Sequence, residues 1–159
     1  MKISIGSDHG AVELRQALAH FLKQSAFTLI DHGTHSSTSV DYPDFAQLVG
    51  SDIVAGRAQY GILICTTGVG MSIAANKIVG IRAALVHNLI DAEFARRHNN
   101  ANVICFGARH ETPDQAIAYT KIFIDTHFES GNRHYRRVEK LESKPCCADS
   151  IETKRIPQH

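Results

Sequence analysis

Short apolar runs alternate with longer amphipathic stretches from residue 1 to residue 142. Between the apolar runs, apolar residues recur at helical spacing, as at Leu14, Leu18 and Leu22. The runs themselves, each bounded by turn residues, predict five strands: "KISIGS" (2–7), "FTLIDHG" (27–33), "YGILIC" (60–65), "IRAALVH" (81–87) and "NVICFG" (102–107). Strands that alternate with helices indicate a parallel sheet covered by helices on both faces.

Six helices are predicted from the spacing of apolar residues. Pro43 suits the first position of the second helix, where a missing N–H costs nothing. The predicted ranges are 11–24, 43–57, 71–77, 89–100, 112–128 and 134–143, the last lying beyond the sheet. We therefore expect a single α/β domain over residues 1–142. The segment 143–159, "SKPCCADSIETKRIPQH", loses periodicity and is predicted to be a mobile tail.

Composition narrows the class of protein. With 159 residues, 43% of them hydrophobic, and a net charge of +1, the chain suits one folded domain and does not suit a nucleic-acid binder. No apolar run reaches the roughly 18 residues of a membrane span, and the N-terminus is too short and broken for a signal peptide. The four cysteines form neither a disulfide framework nor a CxxC metal motif. We therefore expect a cytoplasmic protein with reduced cysteines that neither associates with a membrane nor binds a metal ion.

Candidate site residues follow from the topology. In open parallel sheets, ligands bind beyond the carboxyl ends of the strands. That edge receives Asp8 and His9 after the first strand, Tyr42 after the second, residues 65–70 after the third and Arg109 after the fifth.

The loop "CTTGVGMS" after the third strand leaves three interpretations open. It begins like GxGxxG, but Ile73 stands at the third glycine position and no P-loop lysine is present. It is either an ordinary β–α corner or a nest of N–H groups, from Thr67 to Met71, that stabilises a negative oxygen. Cys65 beside it is either a catalytic thiol, favoured as thiolate near a helix N-terminus, or a small buried hydrophobe. Asp8 could likewise serve only as a helix cap.

Two further features lie outside these strand ends. Arg133 and Arg137 are i and i+4 in "RHYRRV", so they either grip a phosphate together or pair with Glu139 and Glu142 on a solvated face. A helix from Leu89 to His98 runs about 15 Å, away from the carboxyl edge at which it begins. His98 is therefore either structural or part of another chain's site.

Taken together, the motifs resemble the type B ribose-5-phosphate isomerases of the ribose/galactose isomerase family. The matching pieces are "GSDHG", "DYPDFA", "GILICTTGVGMSIAANK", "GIRAALV", "RRHNNANVICFGAR" and "RHYRRVEKL". The resemblance implies a Rossmann-like three-layer α/β/α sandwich with a five-stranded parallel sheet. It implies interconversion of ribose 5-phosphate and ribulose 5-phosphate without cofactor or metal. It also implies a homodimer, in some members a tetramer, whose two chains share each site.

Residue roles come with the resemblance. It implies that Cys65 moves the proton between C2 and C1, while His98 and Asp8 open the sugar ring and Thr67 relays a proton. The enediolate and the sugar are contacted by Thr66, Thr67, Gly68, Val69, Gly70, Ser72, Asn99 and Tyr42. The phosphate is held by His9, Arg109, Arg133 and Arg137.

The sequence departs from the family pattern at one loop position. Thr66 stands where members usually carry glycine, and a β-branched residue disfavours positive φ, so an ordinary conformation is expected there. Some members use a glutamate at the position of Met71 as base, which implies the cysteine branch here. Allose or galactose 6-phosphate isomerisation remains an alternative. A non-catalytic sugar-phosphate binder is a second, which could dispense with Cys65 or His98.

Overall fold

A computed structural model describes residues 1–131 and 133–142, so the predicted tail at 143–159 lies outside the described residues. The strands are β1 (Lys2–Ser7), β2 (Thr28–Asp31), β3 (Tyr60–Cys65), β4 (Ala83–Leu85) and β5 (Val103–Gly107). The helices are α1 (Val12–Gln24), α2 (Tyr42–Val54), α3 (Val69–Ala75), α4 (Leu89–Arg97), α5 (Pro113–Asp125) and α6 (Arg133–Glu142). A 3₁₀ turn, His9–Ala11, precedes α1.

The five strands form one sheet in the order β2-β1-β3-β5-β4, with every neighbouring pair parallel. The chain leaves β1 toward β2 on one side and returns to β3 on the other. The carboxyl ends of β1 and β3 therefore flank the crevice at which such sheets bind ligands. The predicted α/β fold class is confirmed.

Helices cover both faces of the sheet. On one face, α1, α4 and α5 pack against residues such as Ile62 and Ile64; on the other, α2 and α3 pack against Leu63 and Cys65. Alternate residues of β3 thus enter opposite cores, as a doubly covered strand requires. Cys65 is the last residue of that strand and lies on the α2 and α3 face.

Several element boundaries differ from their predicted positions. The helix α3 begins at Val69, two residues early, because Gly68 adopts φ +78° and turns the chain directly from strand to helix. The helix α4 ends at Arg97 and Asn100 has φ +47°, so "HNN" lies outside the helix. The helix α5 ends at Asp125 rather than 128. Pro43 is the second residue of α2, not the first. The edge strand β4 spans three residues.

A buried polar network, which the sequence pattern did not indicate, ties β1 to α2. The Asp52 carboxylate accepts hydrogen bonds from Ser4 Oγ (2.8 Å) and Arg57 Nε (2.7 Å) and lies 2.6 Å from His32 Nε2. Burial alone would raise the pKa of Asp52, but the hydrogen bonds from His32, Arg57 and Ser4 outweigh burial and lower it.

No helix among the described residues is long and apolar enough to cross a membrane.

Candidate active site

The first part of the candidate site lies where β1 and β3 end side by side. The backbone N–H of Asp8 donates to the carbonyl of Ile64 at 3.3 Å, and both Asp8 and Cys65 are nearly buried. The Asp8 carboxylate accepts a hydrogen bond from Gly10 N at 3.0 Å and so caps the 3₁₀ turn. The capping role that the sequence left open is real, and it holds this carboxylate at the crevice.

The sulfur of Cys65 accepts a hydrogen bond from the backbone N–H of Gly68 at 3.1 Å. A Cβ at Gly68 would lie 2.8 Å from the backbone carbon of Phe106, so the left-handed turn and the close approach both require glycine. The next three N–H groups, from Val69 to Met71, open α3 and have no acceptor within their own helix. Cys65 is therefore in contact with the N–H of Gly68, and the unpaired N–H groups that open α3 follow directly along the chain.

Ser72 does not extend that row of donors. Its backbone N–H donates to the carbonyl of Gly68 at 3.0 Å, and its hydroxyl donates to the carbonyl of Val69 at 2.8 Å. Both Ser72 donors serve the first turn of α3. A contact between Ser72 and the sugar oxygens stays a prediction.

Thr66 fits the loop without backbone strain. Among the described residues, the non-glycine residues with positive φ are Ala26 and Asn100, so the left-handed step falls at Gly68 and not at Thr66. The Thr66 carbonyl accepts a hydrogen bond from Arg109 N at 3.0 Å, which joins the loop to the residues after β5. Thr66 therefore keeps the ordinary conformation expected of a threonine and brings the backbone of Arg109 beside the loop. Its neighbour Thr67 is exposed.

Two more predicted residues lie at this edge. The ring of Tyr42, at the start of α2, covers Gly70 so closely that a Cβ there would lie 2.7 Å from the Tyr42 Cζ. His9 is partly buried, and its Nδ1 accepts a hydrogen bond from the backbone N–H of Val40 at 3.2 Å. Residues 8, 9, 42, 65–72 and 109 are called the carboxyl-edge set below.

The remaining predicted residues gather around the end of α4. The ring of His98 stacks on that of His134, with centroids 4.2 Å apart and planes 4° from parallel. Both rings line a small pocket of about 490 Å³. Arg133, Arg97 and Glu129 line it as well. Burial lowers the pKa of His134, and the neighbouring His98 and Arg133 lower it further.

Asn99 and Arg137 complete this group. Asn99 borders an adjoining groove of about 770 Å³, whose wall includes Leu141 and Glu142 of α6. Arg137 lies on α6, one helical turn after Arg133. Residues 98, 99, 133 and 137 are called the amino-edge set below.

The two sets lie at opposite edges of the sheet. Glu142 pairs with Arg82, directly before β4, and Asn102, directly before β5, accepts from Arg82 N at 2.8 Å. The end of α6 therefore lies at the amino ends of β4 and β5, whereas Cys65 pairs with Gly107 at the carboxyl ends. Five residues of strand separate these edges by roughly 16 Å. His98 lies far from its own strand tips, as the direction of α4 predicts.

The pocket beside His98 and His134 also contains three side chains of the kind that bind metal ions. His98, Glu129 and His134 each place a ligand atom within 4.8 Å of the others. Glu129, however, lies 3.6 Å from Arg97 in an ion pair, and Arg133 lines the same pocket. The surrounding guanidinium groups favour an anion over a cation.

Sequence reasoning did not assign Val40 and His134 to the site. His134 could have been found, because it lies within "RHYRRV" next to Arg133. Val40 carried no signal, since its backbone and not its side chain makes the contact. Cys105 is fully buried in β5, and burial with the nearby Cys65 raises its thiol pKa well above the usual range, so it is a core residue as expected.

Comparison with known proteins decides the family. The family model described as Ribose/Galactose Isomerase matches residues 3–141. The chain belongs to the ribose/galactose isomerase family. It is 39% identical over 140 residues to ribose-5-phosphate isomerase B of Escherichia coli, covering 88% of this chain and 93% of that one.

Solved structures of the family share the fold. The ribose-5-phosphate isomerase B of Clostridium thermocellum superimposes with a TM-score of 0.87 at 45% identity, covering 89% of this chain and 95% of that chain. The Thermotoga maritima protein gives a TM-score of 0.86 at 45% identity, covering 89% and 97%. As a member of this family, the chain is an enzyme of the sugar-phosphate isomerase class.

Proposed function

We propose that this ribose/galactose isomerase family member interconverts ribose 5-phosphate and ribulose 5-phosphate through an enediolate, without cofactor or metal. The observation that carries the proposal is the contact between Cys65 Sγ and the N–H of Gly68 at the β1/β3 crevice. The similar proteins named as ribose-5-phosphate isomerases support the choice of substrate. The reaction belongs to the non-oxidative pentose phosphate pathway.

Proton transfer falls to Cys65. The thiolate removes the proton from C2 of the open-chain aldose and returns it at C1, a general acid–base step worth roughly 10²- to 10⁴-fold in rate. Negative charge that develops on the sugar oxygens is stabilised by the N–H groups at the start of α3, each well-placed donor contributing about 3–4 kcal/mol. The buried carboxylate of Asp8 beside them takes part in the ring-opening proton transfer, and Thr67 relays a proton.

The amino-edge set has the remaining roles in ring opening, sugar positioning and phosphate binding. His98 opens the furanose ring, and Asn99 holds the sugar in position. Arg133 and Arg137 bind the phosphate together with His9 and Arg109. Two guanidiniums one helical turn apart suit the several oxygens of a phosphate, and their binding energy orients the reacting carbons.

A homodimer reconciles these roles with the separation of the two sets. In a two-fold dimer the carboxyl-edge set of one copy can face the amino-edge set of its partner. Apolar side chains suited to burial in such an interface flank both sets: Val69 and Ile73 on α3 are 47% and 56% exposed, and Val79 and Leu141 by the groove are 87% and 64% exposed. Further pairing of dimers into a tetramer is compatible with this arrangement.

A comparison of substrates tests the assignment. The purified chain is assayed with ribose 5-phosphate, allose 6-phosphate and galactose 6-phosphate, and we expect the highest kcat/KM for the pentose. A higher kcat/KM for either hexose would move the assignment to a six-carbon substrate. Binding of all three without turnover would identify a sugar-phosphate binder and overturn the proposal.

A further inference from the structure

The hydrogen bond between His9 and Val40 fixes which ring nitrogen of His9 carries the proton. A backbone N–H can only donate, so Nδ1 accepts with its lone pair at 3.2 Å. A neutral imidazole has one protonated nitrogen, which must then be Nε2. The ring consequently offers an N–H donor at Nε2 even when it is uncharged.

Val40 is itself held in place through the opposite end of the segment 33–41. The side chain of Arg15 is 1% exposed; its Nη1 contacts an Asp31 carboxylate oxygen at 2.6 Å and its Nη2 donates to the Thr34 carbonyl at 3.2 Å. Gly33 lies against this guanidinium so tightly that a Cβ would be 2.0 Å from Arg15 Nε. A buried side chain of α1 thus anchors the beginning of the segment whose end contacts His9.

The segment also forms a wall of the cavity that His9 lines. This cavity, of about 480 Å³ at the carboxyl edge, is bounded by His9, by residues 35–37 of the segment, and by Ala108 and Glu111. The same stretch of chain therefore shapes the cavity and orients a ring on its border.

We propose that the backbone N–H of Val40 is a positioning group that locks His9 in its Nε2–H tautomer, so that the ring presents a hydrogen-bond donor to an anionic oxygen of the substrate. The identity of that oxygen, a phosphate oxygen, rests on the proposed function; the tautomer does not. Arg15 acts one step further away, by fixing the segment that carries Val40.

Nitrogen NMR on the wild-type chain tests the tautomer directly. Long-range ¹H–¹⁵N correlation spectra at about pH 8, where histidine is mostly neutral, distinguish a protonated from an unprotonated ring nitrogen. The His9 signals are identified by their absence in His9→Gln. We expect an unprotonated Nδ1 and a protonated Nε2. A dominant Nδ1–H form, or an even mixture of the two tautomers, would overturn the inference.

A matched pair of variants tests the consequence. Val40→Pro removes the N–H donor, whereas Val40→Ala keeps it and only shortens the side chain. We expect Val40→Pro to mix the His9 tautomers, to weaken the binding of inorganic phosphate, and to raise KM roughly 2- to 10-fold, in line with the loss of one hydrogen bond. We expect kcat to change less than KM, and Val40→Ala to behave like wild type. Equal effects of the two variants would show that only packing matters.

The outcomes separate this inference from the proposed function. If the chain fails to isomerise ribose 5-phosphate, the His9 tautomer and the phosphate titration still decide the role of Val40. If isomerisation is found but His9 carries its proton on Nδ1, the positioning role alone is wrong. Should Val40→Pro not fold, the wild-type spectrum remains decisive.

Discussion

The hydroxyl oxygen of Thr66 lies against Gly10, at a distance of 2.5 Å from where a Cβ on Gly10 would stand. Thr66 follows β3 and Gly10 lies in the turn after β1, so the contact joins the two strand tips that border the crevice. A side chain at residue 10 would require the Thr66 hydroxyl to move. Thr66 therefore fits both because its backbone avoids positive φ and because Gly10 leaves room for its hydroxyl.

Gly10→Ala is expected to lower the free energy of unfolding by about 1 kcal/mol, because a methyl group forces Thr66 out of its rotamer. The second change Thr66→Gly removes the obstructing hydroxyl, so the double variant should lose less than the two single losses added. Urea denaturation measures each arm of the cycle. Gly131→Ala, whose added Cβ would meet no atom of the described residues within 4 Å, is the matched control. Strict additivity of the two changes would contradict the contact.

Cys65→Ala should abolish isomerisation while ribose 5-phosphate still binds, because it removes the proposed base and leaves the phosphate contacts intact. The expected loss in kcat is roughly 10²- to 10⁴-fold. Turnover assays with calorimetric binding measure the two effects separately. Cys105→Ala changes the neighbouring, fully buried cysteine and should leave turnover near the wild-type level. Near-normal turnover of Cys65→Ala would refute the base assignment.

Mixing chains tests whether each site draws on two copies. Cys65→Ala and His98→Ala homodimers should each be inactive, whereas a mixed dimer assembles one site with both residues intact and should recover part of the activity. Unfolding and refolding the two chains together, with one chain tagged, yields verified mixed dimers. Their complete inactivity would place His98 in the site of its own chain, against the direction in which α4 runs.

Asp52→Asn should destabilise the fold in a pH-dependent manner. Since the folded-state pKa of Asp52 is lowered, this carboxylate stabilises the fold above its unfolded-state pKa of about 4 and loses that contribution as the pH falls through the folded value. The difference in unfolding free energy between wild type and Asp52→Asn should therefore be largest near neutral pH and shrink below about pH 4. Urea titrations over this range measure it, with the exposed Asp125→Asn as control for loss of a charge. A difference that does not change with pH would contradict the network.

The sheet and its helices could be predicted because their determinants are local. The apolar run 60–65 and the spacing of Leu14, Leu18 and Leu22 depend only on neighbouring residues, and both elements form as expected. The contact of Cys65 with the glycine loop was also within reach, since strand end, turn and helix start are consecutive. Even the remoteness of His98 followed from the rise of a helix per residue.

Contacts between residues distant in sequence could not be predicted. His9 and Val40 are 31 positions apart, and Arg15 and Thr34 are 19 apart, so only the packing of α1 against the loop brings them together. The hydroxyl of Ser72 was beyond prediction for a different reason: it donates to the nearby carbonyl of Val69, and sequence alone does not settle such a local competition.

The placement of Cys65 and His98 at opposite edges of one sheet affects how mixtures of wild-type and variant chains behave. In the shared-site proposal, each site uses Cys65 of one chain and His98 of the other. A chain that carries both Cys65→Ala and His98→Ala therefore inactivates both sites of any dimer that it forms. Co-assembled in equal amounts with wild type, it would leave activity only in the pure wild-type pairs, about a quarter of all dimers for random pairing. Sites confined to single chains would instead keep half. The defective chain would act as a dominant inhibitor of its intact copies.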